Sequence, residues 1–290
     1  MRSFRAGGSA NTSTGRHPRK LLRESGAFPK RGLSQSFLAD PAVARSMVQA
    51  ADLNSSQDDV LEIGPGFGIL TELLLTAARS VVGVELDASL ASSLASRLNS
   101  PQNLRVVQAD ALHVSLVDLI DEPYVVVASL PYHVASPILF RLLTAPPRPQ
   151  RLVVMLQEEV ADRVVGRPGA LTYLGAAMNT LAVPAIVRRV PPGAFFPPPK
   201  VRSAVVRLDV RSAPAVPVDD VMRFLAFVRA GFSQPRKQLH NSLAQGLGAP
   251  SLDVLEAARH AGIDPIRRPG VLSIADWSLL YHQFESRASS

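Results

Sequence analysis

Glu62-Ile63-Gly64-Pro65-Gly66-Phe67-Gly68 decides how this chain is read. The apolar run Val60–Ile63 leads into it and a helical segment, Ile69–Ala78, leads out. Three glycines between a strand and a helix let the backbone turn sharply and let a ligand come close. The helix behind them offers unpaired N–H groups at its first turn. The spacing departs from the dinucleotide-binding fingerprint, whose third glycine follows the second by three residues. Here Gly68 follows Gly66 by two. No Gly-Lys-Ser/Thr follows, so a phosphate-cradling NTPase loop is excluded. A purely structural glycine turn remains the alternative.

Outward from this turn, short apolar runs alternate with helix-length segments. A helix is expected from Pro41, where Val43, Met47, Val48 and Ala51 share a face. After the first strand, further strands are expected at Val81–Glu85, Leu104–Val107, Tyr124–Ala128 and Leu152–Leu156, with a helix across Leu86–Leu98. Strands that alternate with helices pair in parallel through right-handed crossovers, which makes an α/β, doubly wound sheet. The runs are apolar on both faces, as buried parallel strands require. Ser212–Pro217 reads as a linker. Helical segments follow at Val218–Phe232, Arg236–Leu247, Ser251–Ala261 and Ile274–Phe284, a small all-α C-terminal domain with no convincing strand. The expected organisation is a basic arm over residues 1–30, the α/β domain over 31–210 and the helical domain over 218–290.

Two acids stand at strand ends. Glu85 closes the second strand, where a carboxylate can accept both ribose hydroxyls of a nucleoside cofactor. Asp87, two residues on, suits a helix cap. Asp110, in Gln108-Ala109-Asp110-Ala111-Leu112, follows the third strand and can reach an adenine amino group, or cap the next helix. Glycine turn, Glu85 and Asp110 line one side of a switch-point crevice. Their joint pattern resembles that of S-adenosylmethionine-dependent methyltransferases.

Ser129-Leu130-Pro131-Tyr132 follows the fourth strand. It is similar to the (Asn/Asp/Ser)-Pro/Leu-Pro-(Tyr/Phe/Trp) signature of enzymes that methylate exocyclic amino groups of bases. The adenine N6 lone pair is delocalised into the ring, so the amine is a poor nucleophile. A side-chain oxygen at Ser129 and the backbone carbonyl of Leu130 can accept its two N–H bonds. That favours the pyramidal, charge-bearing transition state. Tyr132 offers a face for the unstacked base, worth about 1–3 kcal/mol. A turn with a core tyrosine is the plainer reading of a lone Pro-Tyr.

At this point the chain resembles the rRNA adenine N6,N6-dimethyltransferase family, most of all its small-subunit (16S) dimethyladenosine transferase branch. The likeness covers about residues 33–245. Ser34-Gln35-Ser36-Phe37-Leu38-Ala39-Asp40 is similar to Gly-Gln-Asn-Phe-Leu, and Ala128–Ser136 to Asn-Leu-Pro-Tyr-Asn-Ile-Ser. Glu62–Gly68 and Glu85–Asp87 match the cofactor motifs. Phe195-Phe196-Pro197-Pro198-Pro199-Lys200-Val201-Arg202-Ser203 matches Phe-x-Pro-x-Pro-Lys-Val-x-Ser. Gly231–Asn241 resembles the C-terminal signature of the small-subunit branch.

The resemblance implies S-adenosyl-L-methionine as cofactor, held by Ser36, Leu38, Gly64 and Gly66, with Glu85 on the ribose and Asp110 on the adenine. Ser129 would sit between cofactor and target, beside Leu130 and Tyr132, and Phe196 would close the other face of the adenine. It implies direct methyl transfer to two adjacent adenosines near the 3′ end of small-subunit rRNA, with no metal. The partner would be the ribosomal small-subunit precursor and the protein a cytoplasmic monomer. The family's asparagine is serine at 36 and at 129, which shortens reach and adds a donor. At 34 serine replaces a flexible glycine. A large-subunit rRNA methyltransferase of the macrolide-resistance type is the nearest alternative, though Pro197–Lys200 and Gly231–Asn241 argue against it. A non-catalytic nucleic-acid binder on the same fold is the alternative of a different class.

Charge supports an RNA partner. Residues 1–33 hold eight basic groups and one acid, net +7, which equals the net charge of all 290 residues. Such an arm, poor in large apolar groups, reads as disordered and suited to a polyanion, to solvent or to organelle targeting. Arg148, Arg151, Arg163, Arg167, Arg188 and Arg189 are expected to flank the target cleft, and Arg236-Lys237 to open a C-terminal helix. With no cysteine, disulfides and thiolate metal or redox sites are excluded. No apolar run is long enough to cross a bilayer, which needs about 18–20 residues.

Overall fold

The computed structural model describes residues 36–167 and 169–288. The basic arm, with Ser34 and Gln35, lies outside the described residues. The chain enters through a short strand, β1 (Phe37–Leu38), and helix α1 (Pro41–Ala51). Asp40 caps that helix by accepting the Ala42 N–H at 2.8 Å, and Pro41 supplies a helical φ at its first position.

The elements that follow are β2 (Asp59–Ile63), α2 (Ile69–Ala77), β3 (Ser80–Glu85), α3 (Ala88–Arg97), β4 (Leu104–Gln108), β5 (Tyr124–Ser129), α4 (Ala135–Thr144), β6 (Arg151–Gln157) and α5 (Glu158–Val165). The five sequence-predicted strands are all present, within two residues of their expected ends. Then come α6 (Tyr173–Leu181), β7 (Ala182–Val190), β8 (Phe195–Phe196) and β9 (Ser203–Val210). The main sheet has seven strands in the order β4-β3-β2-β5-β6-β9-β7. The first five are parallel. Chain order reverses between β2 and β5, which opens a crevice beyond their carboxyl ends.

Side-chain alternation divides the core into two layers. Val60, Val125, Val127, Val153 and Met155 pack with Val43, Met47, Leu70 and Leu74 of α1 and α2. Leu61, Val126, Ala128, Leu152 and Val154 face the other way, toward Ile138, Leu139 and Leu142 of α4. Adjacent strand residues point to opposite faces, so a strand apolar at every position serves both layers. Val60, Val125 and Val153 are fully buried.

The sheet departs from the expected all-parallel pattern at one edge. β9 runs antiparallel to both β6 and β7. β7 hides its strand character: Pro184, Arg188 and Arg189 interrupt the apolar run, and its side chains alternate between exposed and half-buried. Proline and arginine are features of an edge strand, where one side of the backbone needs no partner.

The C-terminal helices are α7 (Val221–Gly231), α8 (Leu239–Leu247), α9 (Ser251–His260) and α10 (Ile274–Ala288), within the expected segments apart from the extra last turn of α10. Asp220 caps α7 through the N–H groups of Met222 and Arg223. Phe224, Leu243, Val254 and Trp277 are buried and continuous with the apolar layer under α4. Gly231 is needed where α7 meets α10, because a Cβ there would lie 2.2 Å from the Trp277 ring. No helix among the described residues is long and apolar enough to cross a membrane.

Candidate active site at the switch point

The glycine turn sits where β2 and β5 diverge. Gly64, Gly66 and Gly68 adopt φ of +70°, +57° and +87°, a region that penalises a Cβ. Space is also short, since a Cβ on Gly68 would lie 2.9 Å from Leu94. Backbone bonds from Gly64 N–H to the Val84 carbonyl and from Gly68 N–H to the Pro65 carbonyl, each 2.9 Å, fix the turn.

Two side chains clamp it. From below, Glu85 accepts the Gly66 N–H on Oε2 and the Asp87 N–H on Oε1, both at 3.0 Å. Burial raises the Glu85 carboxyl above the usual carboxylate range, and those two N–H groups pull it back. From outside, Arg97 donates to the Gly66 and Leu90 carbonyls at 3.1 Å, its guanidinium 5.2 Å from the centre of the Phe67 ring. Nothing in the local sequence around Arg97 signals this.

Asp87 caps α3 through the Ser89 N–H and hydroxyl, as its spacing indicates. Asp110 caps no helix, because turns rather than a helix lead from β4 to β5. Its Oδ1 accepts the Leu112 N–H at 2.8 Å, its Oδ2 lies 3.1 Å from His113 Nδ1, and it also faces the cleft. The Leu112 N–H holds its carboxyl below the ordinary range, and His113 helps.

Across the cleft, β5 ends at Ser129, whose hydroxyl has no hydrogen-bond partner among the described residues. Leu130 turns its side chain into the core and donates its N–H to the Met155 carbonyl at 3.3 Å. Tyr132 reaches the edge of β9, where its hydroxyl lies 2.5 Å from Ser203 Oγ. Burial raises the Tyr132 phenol.

The cleft encloses about 200 Å³. Ser36, Gly64, Gly66, Glu85, Asp110, Ser129, Leu130 and Tyr132, all read from the sequence as site residues, line it together. Leu38 lines a smaller adjoining cavity with Glu62, Gly64 and Ser129. Phe196 lines neither; it pairs with Phe37 and packs on the Phe67–Leu90 cluster, while its neighbour Phe195 is buried in the core layer under α1 and borders the cleft. The β1–β8 pairing explains how residues 36–38 and 195–196, far apart in sequence, form one wall. Ala39 and Asp40 extend it by donating to the Ala194 carbonyl.

Sequence reasoning passed over Glu62. Its side chain is 1% exposed, and neither its Oε2 nor the Thr71 hydroxyl has a hydrogen-bond partner among the described residues. Burial pushes the carboxyl up to about 8, and the Glu85 charge adds to the shift.

The arginines expected at the target cleft do not stand together. Arg189 ion-pairs with Glu158 and Asp162, and Arg202 with Glu158, at the cleft end of the sheet. Arg148 and Arg151 belong to the opposite edge. Arg151 opens β6, whose far end faces the cleft, and its guanidinium binds Asp209 and the Ala51 carbonyl. Arg148 is bound to the Arg211 carbonyl.

The donor set suits an adenosine-bearing cofactor with an amino-acid end. Two carboxylates at successive strand ends suit ribose and adenine, and the unpartnered Glu62 oxygen lies beside the adjoining cavity at the turn.

Known proteins share this architecture. A solved dimethyladenosine transferase from Plasmodium falciparum superposes with a TM-score of 0.75 and 25% identity, covering 87% of this chain and 98% of its own. The solved 23S rRNA methyltransferase ErmE gives 0.68 and 30%, covering 86% and 99%. Proteins named Ribosomal RNA small subunit methyltransferase A are also similar. That of Geobacillus thermodenitrificans is 40% identical over 273 residues, 90% of this chain and 93% of its own. That of Dehalococcoides mccartyi strain 195 is 39% identical over 253 residues, 87% of each. The pattern of the family described as Ribosomal RNA adenine dimethylase matches residues 29–285, so it spans both the cleft and the helices behind it, and the chain belongs to that family.

Proposed function

We propose that this protein transfers methyl groups from S-adenosyl-L-methionine to N6 of two adjacent adenosines near the 3′ end of small-subunit rRNA. The observation that carries the reading is the facing of Ser129–Tyr132 and the glycine turn with Glu85 across one cleft. Relatives named for the small subunit, at 39–40% identity, favour that RNA over the 23S substrate of ErmE.

In this reading Glu85 takes the ribose, Asp110 the adenine, and Ser36, Leu38, Gly64 and Gly66 the amino-acid end. When bound, the cofactor supplies an electrophilic methyl group on sulfur. The Ser129 hydroxyl and the Leu130 carbonyl accept the target N–H bonds and turn the amine lone pair out of the ring plane. Tyr132 carries one face of the base. Phe196, packed on Phe67 and Leu90 beside the cleft, is the candidate for the other face of the base. As the N–C bond forms and the S–C bond breaks, nitrogen becomes acidic and its proton passes to water, so no strong base is required. Alignment of the reacting atoms supplies most of the rate.

The test is methyl transfer from labelled cofactor to separated, unmodified ribosomal subunits, followed by mapping. Dimethyladenosine at adjacent positions of small-subunit rRNA is the expected product. Label confined to large-subunit rRNA would overturn the substrate, and no label with cofactor bound would overturn the enzyme reading.

A further inference from the structure

We infer that Ser203 is a positioning residue for Tyr132, and that the bond between their hydroxyls fixes the angle at which the target base is held. The inference rests on the proposed role of Tyr132 as the face for the base.

Ser203 opens β9 at the point where three strands meet. It is opposite Gln157 of β6 and Val190 of β7, so its backbone is fixed from both sides. It is fully buried. A buried hydroxyl costs stability unless it is hydrogen-bonded, and alanine or valine would suit a strand at this position as well or better. The side chain's hydrogen bond is to Tyr132, at 2.5 Å and across 71 residues of sequence.

Tyr132 itself stands on a short connection between β5 and α4. The ring is anchored at its Cα by that turn and at its hydroxyl by Ser203. With both ends tied, rotation about χ1 and χ2 is restrained, and the face toward the cleft is set before a base arrives. Pre-organisation of this kind acts on turnover more than on binding, because misalignment raises the barrier without removing contacts.

Four variants test it: Ser203→Ala, Ser203→Thr, Tyr132→Phe and the Ser203→Ala/Tyr132→Phe double. Single-turnover methyl transfer should fall about tenfold in Ser203→Ala and in Tyr132→Phe, the loss of one buried hydrogen bond. The double variant should be no slower than either single, and Ser203→Thr should recover most of the rate. Cofactor affinity and the KM for RNA should stay within about twofold, the range of a contact not made to either ligand. Independent losses that multiply in the double, or wild-type turnover in either single, would overturn the inference.

A second readout needs no RNA. With tyrosine labelled at Cζ, the NMR signal that disappears in Tyr132→Phe should shift in Ser203→Ala and return in Ser203→Thr. An unmoved signal overturns the bond itself. Failure of the wild-type protein to methylate small-subunit RNA would instead overturn the proposed substrate and leave this spectroscopic result standing.

Discussion

The Glu85 carboxylate and the Gly66 amide are joined by a 3.0 Å hydrogen bond across 19 residues, so the acid read as a ribose ligand is also the inner support of the glycine turn. Its other oxygen holds the Asp87 N–H, which starts α3. A carboxylate has about four lone-pair sites, so both tasks leave capacity for a ligand. In the proposed reading, cofactor affinity and turn geometry therefore share one residue.

Glu85→Ala is therefore expected to weaken cofactor binding by about 1.5–3 kcal/mol, the cost of lost charge-assisted hydrogen bonds. Glu85→Gln keeps one acceptor oxygen and should recover part of that loss. RNA affinity measured without cofactor should not change. Calorimetry on the three proteins decides it, and equal affinities would remove the ribose role.

Arg97 supports the same turn from outside, through the Gly66 carbonyl and the Phe67 ring. Arg97→Met keeps the stem but loses the donors and the charge. We expect cofactor affinity to fall about three- to tenfold, equivalent to about 1 kcal/mol transmitted through the turn. Lysine should restore the cation over the ring but not the fork of donors. A variant that binds cofactor as wild type would show that Glu85 alone holds the turn.

What was legible in the sequence follows from how local each signal is. Val60–Ile63 and Tyr124–Ala128 are uninterrupted apolar runs, and Gly64, Gly66 and Gly68 mark a turn that only glycine makes easily. β7 and β9 were missed because their partners lie on one another and on β6, and an edge strand carrying Pro184 and two arginines has a weak alternation. In the site, the residues at strand ends could be read from position alone. How Phe195 and Phe196 divide between the core and the Phe67–Leu90 cluster could not, since which face each of two adjacent phenylalanines takes depends on the β1–β8 register. Arg148 and Arg151 were misplaced for a related reason: a residue at the start of a parallel strand lies a full strand length from one at its end.

Glu62 ties the turn to pH. Below about pH 4.5 the side chain is protonated whether the chain is folded or not, and up to about 8 it stays protonated only in the folded chain. The unfolded state then binds fewer protons, so stability contributed by this group falls as pH rises through that window, with a slope approaching about 1.4 kcal/mol per pH unit. Glu62→Gln mimics the protonated form and should flatten the curve between pH 5 and 8 (roughly the same window). Denaturant titrations of both proteins across that range test it. Parallel curves would mean that Glu62 is already ionised in the fold.

Ser129 carries the most exacting prediction. Its hydroxyl is unpartnered among the described residues, stands at the end of β5 and faces the glycine turn across the cleft, on the same connection as Tyr132. An oxygen so placed can accept one N6–H bond, and the bond strengthens as the amine becomes pyramidal. Ser129→Ala should therefore cost about 2.7–4 kcal/mol in turnover, the range for loss of one oriented group at a transition-state site. Ser129→Asn lengthens the reach, keeps an acceptor and should be tolerated. Cofactor affinity should be nearly constant in both, since the effect belongs to the transition state. The second methylation should suffer more than the first, because a single N–H remains and its alignment has fewer alternatives. Single-turnover kinetics with separate counting of mono- and dimethyladenosine provides both comparisons. Wild-type rates in Ser129→Ala would assign the amine to the Leu130 carbonyl alone, a group that no side-chain substitution removes.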